Sequence, residues 1–218
     1  MFDYVKDKEF LGLMRRECSD VVNRLVTSIN NDNFMQVEMH LVGSGAKHLE
    51  TQNNNEPIDL DYNIVIKKFY GNDINDCRTI KDYIIKMFNV ALKSKGWGNC
   101  KDSTSAISTE YRFFTKIANK TNFSIDLGIV IESNNTWYRL IHQKTGFIQN
   151  DRYFWNEGPN SNGLSKKVNW LKKKGYWQNV RNVYLEKKNL YLSRGDKNHP
   201  SFNCYIEAVN QVYYAYNK

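Results

Sequence analysis

Between Asp3 and Ile29, apolar residues recur at three- and four-residue steps: Phe10, Met14, Val21, Val22, Leu25, Val26 and Ile29. That spacing predicts one helix with a single buried face, ended by the polar run Asn30 to Asn33. Phe34 to Val42 reads as a strand running into Gly43-Ser44-Gly45, with a helix starting near Ala46. Thr51 to Glu56 is polar and predicts a loop, closed by Pro57 at a strand entrance. From Ile58 to Ile66 the alternation is strict: Ile58, Leu60, Tyr62, Ile64 and Ile66 share one face, and Asp59, Asp61, Asn63 and Val65 the other.

Ile74 to Lys95 has helical periodicity, with Ile80, Ile84, Met87, Phe88, Ala91 and Leu92 inward and Gly96 as terminator. Trp97 to Ser105 reads as loop. Glu110 to Ile117 and Asn122 to Ile131 predict two strands joined by a hairpin turn at Ala118 to Thr121. In the second run Ile125, Leu127, Ile129 and Ile131 face one way, and Ser124, Asp126, Gly128 and Val130 the other. Past about Asn150 the pattern changes to a Gly/Pro/Asn/Ser loop from Trp155 to Gly163. Three helices follow, Leu164 to Lys174, Trp177 to Tyr191 and Phe202 to Tyr216, broken at Gly175, Gly195 and Pro200. The expected class is α+β: a mixed sheet flanked by helices over residues 1–150, then a C-terminal helical lobe over 151–218.

Composition narrows the setting. With 218 residues, 41% hydrophobic and 25% charged, the chain has globular proportions. Nothing approaches the roughly 20 apolar residues of a membrane span, and the first twenty residues lack a secretory apolar core, so a cytoplasmic location is expected. Cys18, Cys77, Cys100 and Cys204 stand singly, as reduced thiols without zinc spacing. The formal charge of +8 favours anionic partners such as nucleotides or nucleic acid. The run Ser165 to Lys174 carries much of it on one predicted helix, where Lys166 and Lys167 are candidates to reach a triphosphate.

The chemistry lies on the polar strand faces. Asp59 and Asp61 share one face, and Asp126 stands mid-strand with the same alternation. Like charges on neighbouring strands repel, and a divalent cation relieves them. Mg²⁺ suits carboxylate oxygens and keeps water and substrate phosphates as its other ligands. Two such ions roughly 3.5–4 Å apart, or Mn²⁺ in their place, would activate a hydroxyl and steady a leaving pyrophosphate. Gly43-Ser44-Gly45 would let backbone N–H groups approach phosphate oxygens, while His48 stands where a dinucleotide fingerprint needs its third glycine. Tyr111, Trp137, Tyr138, Phe154 and Trp155 are aromatic candidates for stacking a base, though core packing explains most such residues. His40, His48, His142 and His199 share no spacing that would make a catalytic base of any of them.

Leu41-Val42-Gly43-Ser44, Ile58-Asp59-Leu60-Asp61-Tyr62 and Ser124-Ile125-Asp126-Leu127 together resemble the nucleotidyltransferase superfamily, which includes DNA polymerase beta. The resemblance covers roughly residues 35–131. It implies that residues 1–150 form a catalytic lobe that moves a nucleoside monophosphate from an NTP, such as ATP, to an acceptor hydroxyl. Gly43 and Ser44 would hold the phosphates, and Asp59, Asp61 and Asp126 would ligate two Mg²⁺ ions and carry catalysis. Many members have Gly-Arg soon after Gly-Ser and a Ser or Thr before the first Asp; here Ala46-Lys47-His48 and Pro57-Ile58 stand there. A small-molecule or protein acceptor is favoured over nucleic acid, because residues 151–218 contain no recognisable nucleic-acid module. The alternatives are a synthase of cyclic or linear oligonucleotides, and an inactive relative that binds nucleotide or nucleic acid.

Overall fold

In the computed structural model, residues 1–158, 163–192 and 200–217 are described. The expected break at Gly195, His199 and part of the predicted 155–163 loop lie outside them. The strands are β1 (Phe2–Tyr4), β2 (Met35–Leu41), β3 (Thr51–Asn53), β4 (Ile58–Phe69), β5 (Lys101–Asp102), β6 (Ile107–Ser108), β7 (Phe123–Ser133), β8 (Thr136–Gln143) and β9 (Arg152–Glu157). The helices are α1 (Lys8–Asn31), α2 (Cys77–Ser94), α3 (Leu164–Lys173), α4 (Trp177–Tyr191) and α5 (Ser201–Tyr216). The class is α+β, as the alternating patterns predict.

The chain forms two compact units. The larger comprises Asp7–Ala46 and Pro57–Gly158; the other comprises Met1–Lys6, Lys47–Glu56 and the described part of Pro159–Lys218. These borders differ from a division at residue 150: β9 belongs with the sheet, and two N-terminal segments belong with the helices.

In the larger unit, Asp7 caps α1 by accepting from the Phe10 N–H at 2.9 Å, and Asp76 caps α2 from the Thr79 N–H at 3.2 Å. The stripe Phe10, Met14, Cys18, Val21, Val22, Leu25 and Ile29 on α1 is buried, as is Ile80, Ile84, Phe88 and Leu92 on α2. The sheet runs β2-β4-β7-β6-β5, with β8 beside β7 and β9 beside β8. β4 is antiparallel to β2 and parallel to β7. The Ile58–Leu60–Tyr62–Ile64 face forms the core, and the Tyr62 hydroxyl meets Ser19 Oγ of α1 at 3.1 Å. The opposite face carries Asp59, Asp61 and Asn63.

Several local expectations fail: the runs Thr51 to Glu56 and Trp97 to Ser105, read as loops, hold the short strands β3 and β5. The hairpin across residues 118–121 does not form, because β7 gives one edge to β4 and shares the other between β6 and β8. Residues 110–117 make only an isolated bridge from Arg112 to Phe123, and Lys120 Nζ gathers the carbonyls of Phe114, Thr115 and Ile117 at 2.7–3.0 Å. The helix expected near Ala46 is a single 3-10 turn, Gly45–Lys47. β8 and β9 were not anticipated, although Asn134-Asn135, with φ of 51° and 60°, makes the tight β7–β8 turn that adjacent asparagines favour.

In the smaller unit, β1 and β3 pair antiparallel, and α3, α4 and α5 bury Leu49, Leu171, Val180, Tyr184, Cys204 and Val209. Tyr4 Oη donates to the Arg181 carbonyl at 2.7 Å, and Lys188 Nζ to Thr51 Oγ1 at 2.7 Å, which fastens the two strands to α4.

A buried polar network braces the sheet edge. His142, 4% exposed, faces Asp102 with Nδ1 at 2.5 Å and Asp151 with Nε2 at 2.9 Å, and Tyr153 stacks on its ring at 4.0 Å. Buried Lys81 of α2 reaches Asp102 at 2.5 Å. The Thr145 N–H and then His142 hold the Asp151 carboxyl below its usual range. A depressed carboxyl adds stability above its unfolded value of about 3.9, and that stability is lost as pH falls through the folded value. Asp151→Asn is therefore expected to lower the urea midpoint at pH 7 and pH 5, with the gap to wild type closing at pH 3. An unchanged gap across that range would remove Asp151 from the linkage.

Candidate active site

The parallel register of β4 and β7 sets Asp59 opposite Ser124, Asp61 opposite Asp126 and Asn63 opposite Gly128. All six positions lie on the face that the core residues leave, so two carboxylates stand side by side and a third lies one pair away. Ser124 Oγ donates to Asp59 Oδ1. Asp59 is solvent-accessible, yet the protein around it removes enough water to raise its carboxyl above the usual range; the Ser124 hydroxyl opposes the rise and the Asp126 charge adds to it.

The Gly43-Ser44 turn abuts this face. The Val42 N–H donates to the Asp61 carbonyl at 2.8 Å, and Gly43 has a φ of +62°. A Cβ on Gly43 would lie 2.2 Å from Asp61 Oδ2, so both backbone and space require glycine there. The helix that follows is one 3-10 turn, Gly45–Lys47, so no α-helix N-terminus stands at this corner.

Arg139 is the basic group at the site that sequence reasoning missed. It lies on β8 opposite Val130, and its Nη2 donates to Asn63 Oδ1 at 3.0 Å. A Cβ on Gly128 would sit 3.1 Å from the Arg139 Cζ and 2.8 Å from Asn63 Oδ1, so the glycine makes room for the guanidinium. Burial works against the guanidinium charge, while Asp61 and Asp126 support it. The available signals were slight: one arginine within the mixed run Thr136–Gln143, and Gly128 two residues beyond Asp126.

The structure thus brings Gly43, Ser44, Asp59, Asp61 and Asp126 together in one unit. Lys166 and Lys167 lie on α3 in the other; Lys167 Nζ is held by Asn210 Oδ1 at 2.7 Å and Tyr214 Oη at 3.0 Å. Tyr111, Trp137 and Phe154 are exposed, whereas Trp155 Nε1 donates to the Ile74 carbonyl at 2.9 Å. Among the described residues no three His, Cys, Asp or Glu side chains stand ready as a metal cage. Asp59, Asp61 and Asp126 do have the oxygen donors that a hard cation takes, and Mg²⁺ completes its shell with water and phosphate. The donor chemistry therefore fits.

No protein-family model matches the sequence, and no curated protein matches it. Solved structures do. E. coli MS115-1 CdnC, with HORMA-deltaN and with ATP, superposes at TM-scores of 0.56 and 0.57 and identities of 18% and 16%; the match covers 94% and 99% of this chain and 60% and 67% of those. E. coli DncV in its 3'-deoxy GTP bound form gives 0.54 at 13% identity, covering 96% of this chain and 54% of that one. This chain has the nucleotidyltransferase fold. Elizabethkingia meningoseptica CdnE cyclic dinucleotide synthase, with GTP and Apcpp, gives 0.50 at 11% identity, covering 88% and 68%. The present chain spans roughly half to two thirds of those nucleotidyltransferase-fold chains.

Two outcomes are expected. Gly43→Ala forces a left-handed residue to carry a side chain, which costs about 1–2 kcal/mol from the backbone alone. The clash with Asp61 adds to that, so the urea midpoint falls and Asp61→Ala in the same chain recovers part of the loss. Full additivity of the two substitutions would contradict the contact. For Asp59, a raised carboxyl means that ionisation opposes folding, and the penalty grows as pH rises through its titration. Asp59→Asn should raise the melting temperature of the metal-free chain at pH 7 in low salt, and raise it less at pH 4. The same shift at both pH values would exclude this linkage.

Proposed function

We propose that this chain transfers a nucleoside monophosphate from an NTP to an acceptor hydroxyl and releases pyrophosphate. The observation that carries the reading is the Asp61–Asp126 pair, with Asp59 beside it, on one sheet face against the Gly43-Ser44 turn. Gly43 and Ser44 hold the triphosphate through backbone N–H groups and the serine hydroxyl. Asp59, Asp61 and Asp126 would hold two Mg²⁺ ions, or Mn²⁺ in their place. When bound, these cations supply charge neutralisation of the triphosphate and a more acidic acceptor hydroxyl. Asp126 receives the hydroxyl proton as the acceptor oxygen bonds to the α-phosphorus and the bond to pyrophosphate breaks. In-line geometry follows from holding both reactants on one rigid face.

We assign the acceptor to a small molecule or a protein. Within the basic run, Lys167 and Lys172 are engaged by the Tyr214 and Trp177 rings at 4.5 and 4.7 Å, unlike a row of lysines extended toward a nucleic-acid backbone. An acceptor that is itself a nucleotide is the second reading, carried by the likeness to a cyclic dinucleotide synthase. The lack of any helix long and apolar enough to cross a membrane among the described residues, and four free cysteines, support work in the cytoplasm.

The test is incubation with each α-labelled NTP and Mg²⁺, alone and with aminoglycoside, lincosamide, protein or RNA. Pyrophosphate release with label on an added small molecule or protein is expected. Label in an NTP-only oligonucleotide favours the second reading, and no NTP consumption under any condition overturns both. Asp59→Asn, Asp61→Asn and Asp126→Asn should each abolish turnover while remaining folded. Mg²⁺ with a nonhydrolysable NTP should raise the melting temperature by more than the sum of the separate shifts, since the triphosphate completes the metal's ligands.

A further inference from the structure

We propose that Arg139 is a positioning residue, an internal counter-cation that keeps Asp61 and Asp126 side by side on the shared face. The inference rests on the proposed function only in naming what the two carboxylates are held for. Asn63 and Gly128 occupy the register pair next beyond Asp61 and Asp126 on the same face. Successive same-face residues lie roughly 7 Å apart along a strand. The guanidinium is fixed in that next row by its bond to Asn63 Oδ1 at 3.0 Å and by the space over Gly128, where a Cβ would sit 3.1 Å from both Cζ and Nη2.

Arginine suits this place for three reasons. Its charge persists when partly buried, its planar fork is held by few bonds, and its stem can lie along the sheet. One guanidinium offsets part of the charge of the Asp61–Asp126 pair without cancelling it. The face therefore retains its attraction for a divalent cation while the repulsion across the β4–β7 pair is reduced. Asn63 serves as the anchor. A neutral amide at that position fixes the arginine without competing with the carboxylates for its charge.

A structural filler and a counter-cation make different predictions. If Arg139 balances the pair, Arg139→Met should lower the metal-free melting temperature in low salt. Asp126→Asn should then recover several degrees in that background, more than it adds to wild type. Mg²⁺ alone should raise the midpoint of Arg139→Met further than that of wild type, because the cation takes over the missing balance. Arg139→Lys should keep most of the wild-type behaviour. Gly128→Ala leaves the charge in the chain but pushes the guanidinium off its seat, so it should show the same non-additivity with Asp126→Asn if Arg139→Met fails to fold.

Equal destabilisation by Met and Lys, with strict additivity toward Asp126→Asn, would overturn the proposal. Non-additivity in chains that show no response to Mg²⁺ would uphold Arg139 as counter-cation and count instead against the metal-dependent transferase reading.

Discussion

The parallel pairing of β4 with β7 places Asp61 beside Asp126, and much of the larger unit is arranged around tolerating that neighbourhood. Two like charges opposite each other on adjacent strands weaken the very ladder that positions them. The core face supplies the opposing force. Leu60, Tyr62, Ile64, Ile125, Leu127 and Ile129 are almost completely buried, and each fully buried aliphatic or aromatic side chain stabilises by about 1.5–3 kcal/mol. Sliding the register by two residues would keep the faces but break the Asp61–Asp126 pair, setting Asn63 or Asp59 opposite Asp126 according to direction. A one-residue slip would drive Asp61 into the core. The hydrophobic alternation therefore fixes the geometry of the acidic face as firmly as it fixes the sheet.

Two glycines adapt the surroundings to this pair. Gly43 lets the turn after β2 approach the Asp61 carboxylate more closely than any side chain would allow, and Gly128 opens the row where Arg139 lies. Their roles differ physically. Gly43 is needed for its positive φ as well as for space, whereas Gly128 is needed for space alone. The room each glycine leaves is taken up by a charged group, the Asp61 carboxylate at Gly43 and the Arg139 guanidinium at Gly128.

The residues whose roles follow from local pattern were legible in the sequence. Asp59, Asp61 and Asp126 declare their face through a period of two, and Gly43-Ser44 marks the strand end. α1, α2 and the three C-terminal helices follow from three- and four-residue spacing, because each buries one stripe. What was not legible depends on non-local competition. Residues 110–117 look like a strand, but only Arg112 reaches β7, at Phe123, because β6 and β8 take the rest of that edge. β8 was hidden because Thr136–Gln143 mixes exposed Trp137 with buried Leu140 and His142, and its place is set by the Asn134-Asn135 turn. Arg139 could be recognised only once β8 was known to pair with β7, since its meaning lies in what stands across the strand. Lys166 and Lys167 stood out by charge density, yet Lys167 is already bound by an amide and a phenol.

The unit handles buried charge in two contrasting ways. Around His142, each charged group finds its partner within the protein: Asp102 has Lys81 and the imidazole, and Asp151 has the imidazole and the Thr145 N–H. Asp102 Oδ1 meets Lys81 as an ion pair alone, and pairing of this kind turns costly buried groups into a brace at the sheet edge. On the acidic face, Asp61 and Asp126 stand side by side near the Arg139 guanidinium, with Asp59 one register pair away. A sheet built for stability alone would gain by replacing one of those aspartates with a neutral residue, because the remaining two would then suffer less repulsion. Under the proposed function, keeping all three makes physical sense, because the balancing positive charge would arrive with the ligand.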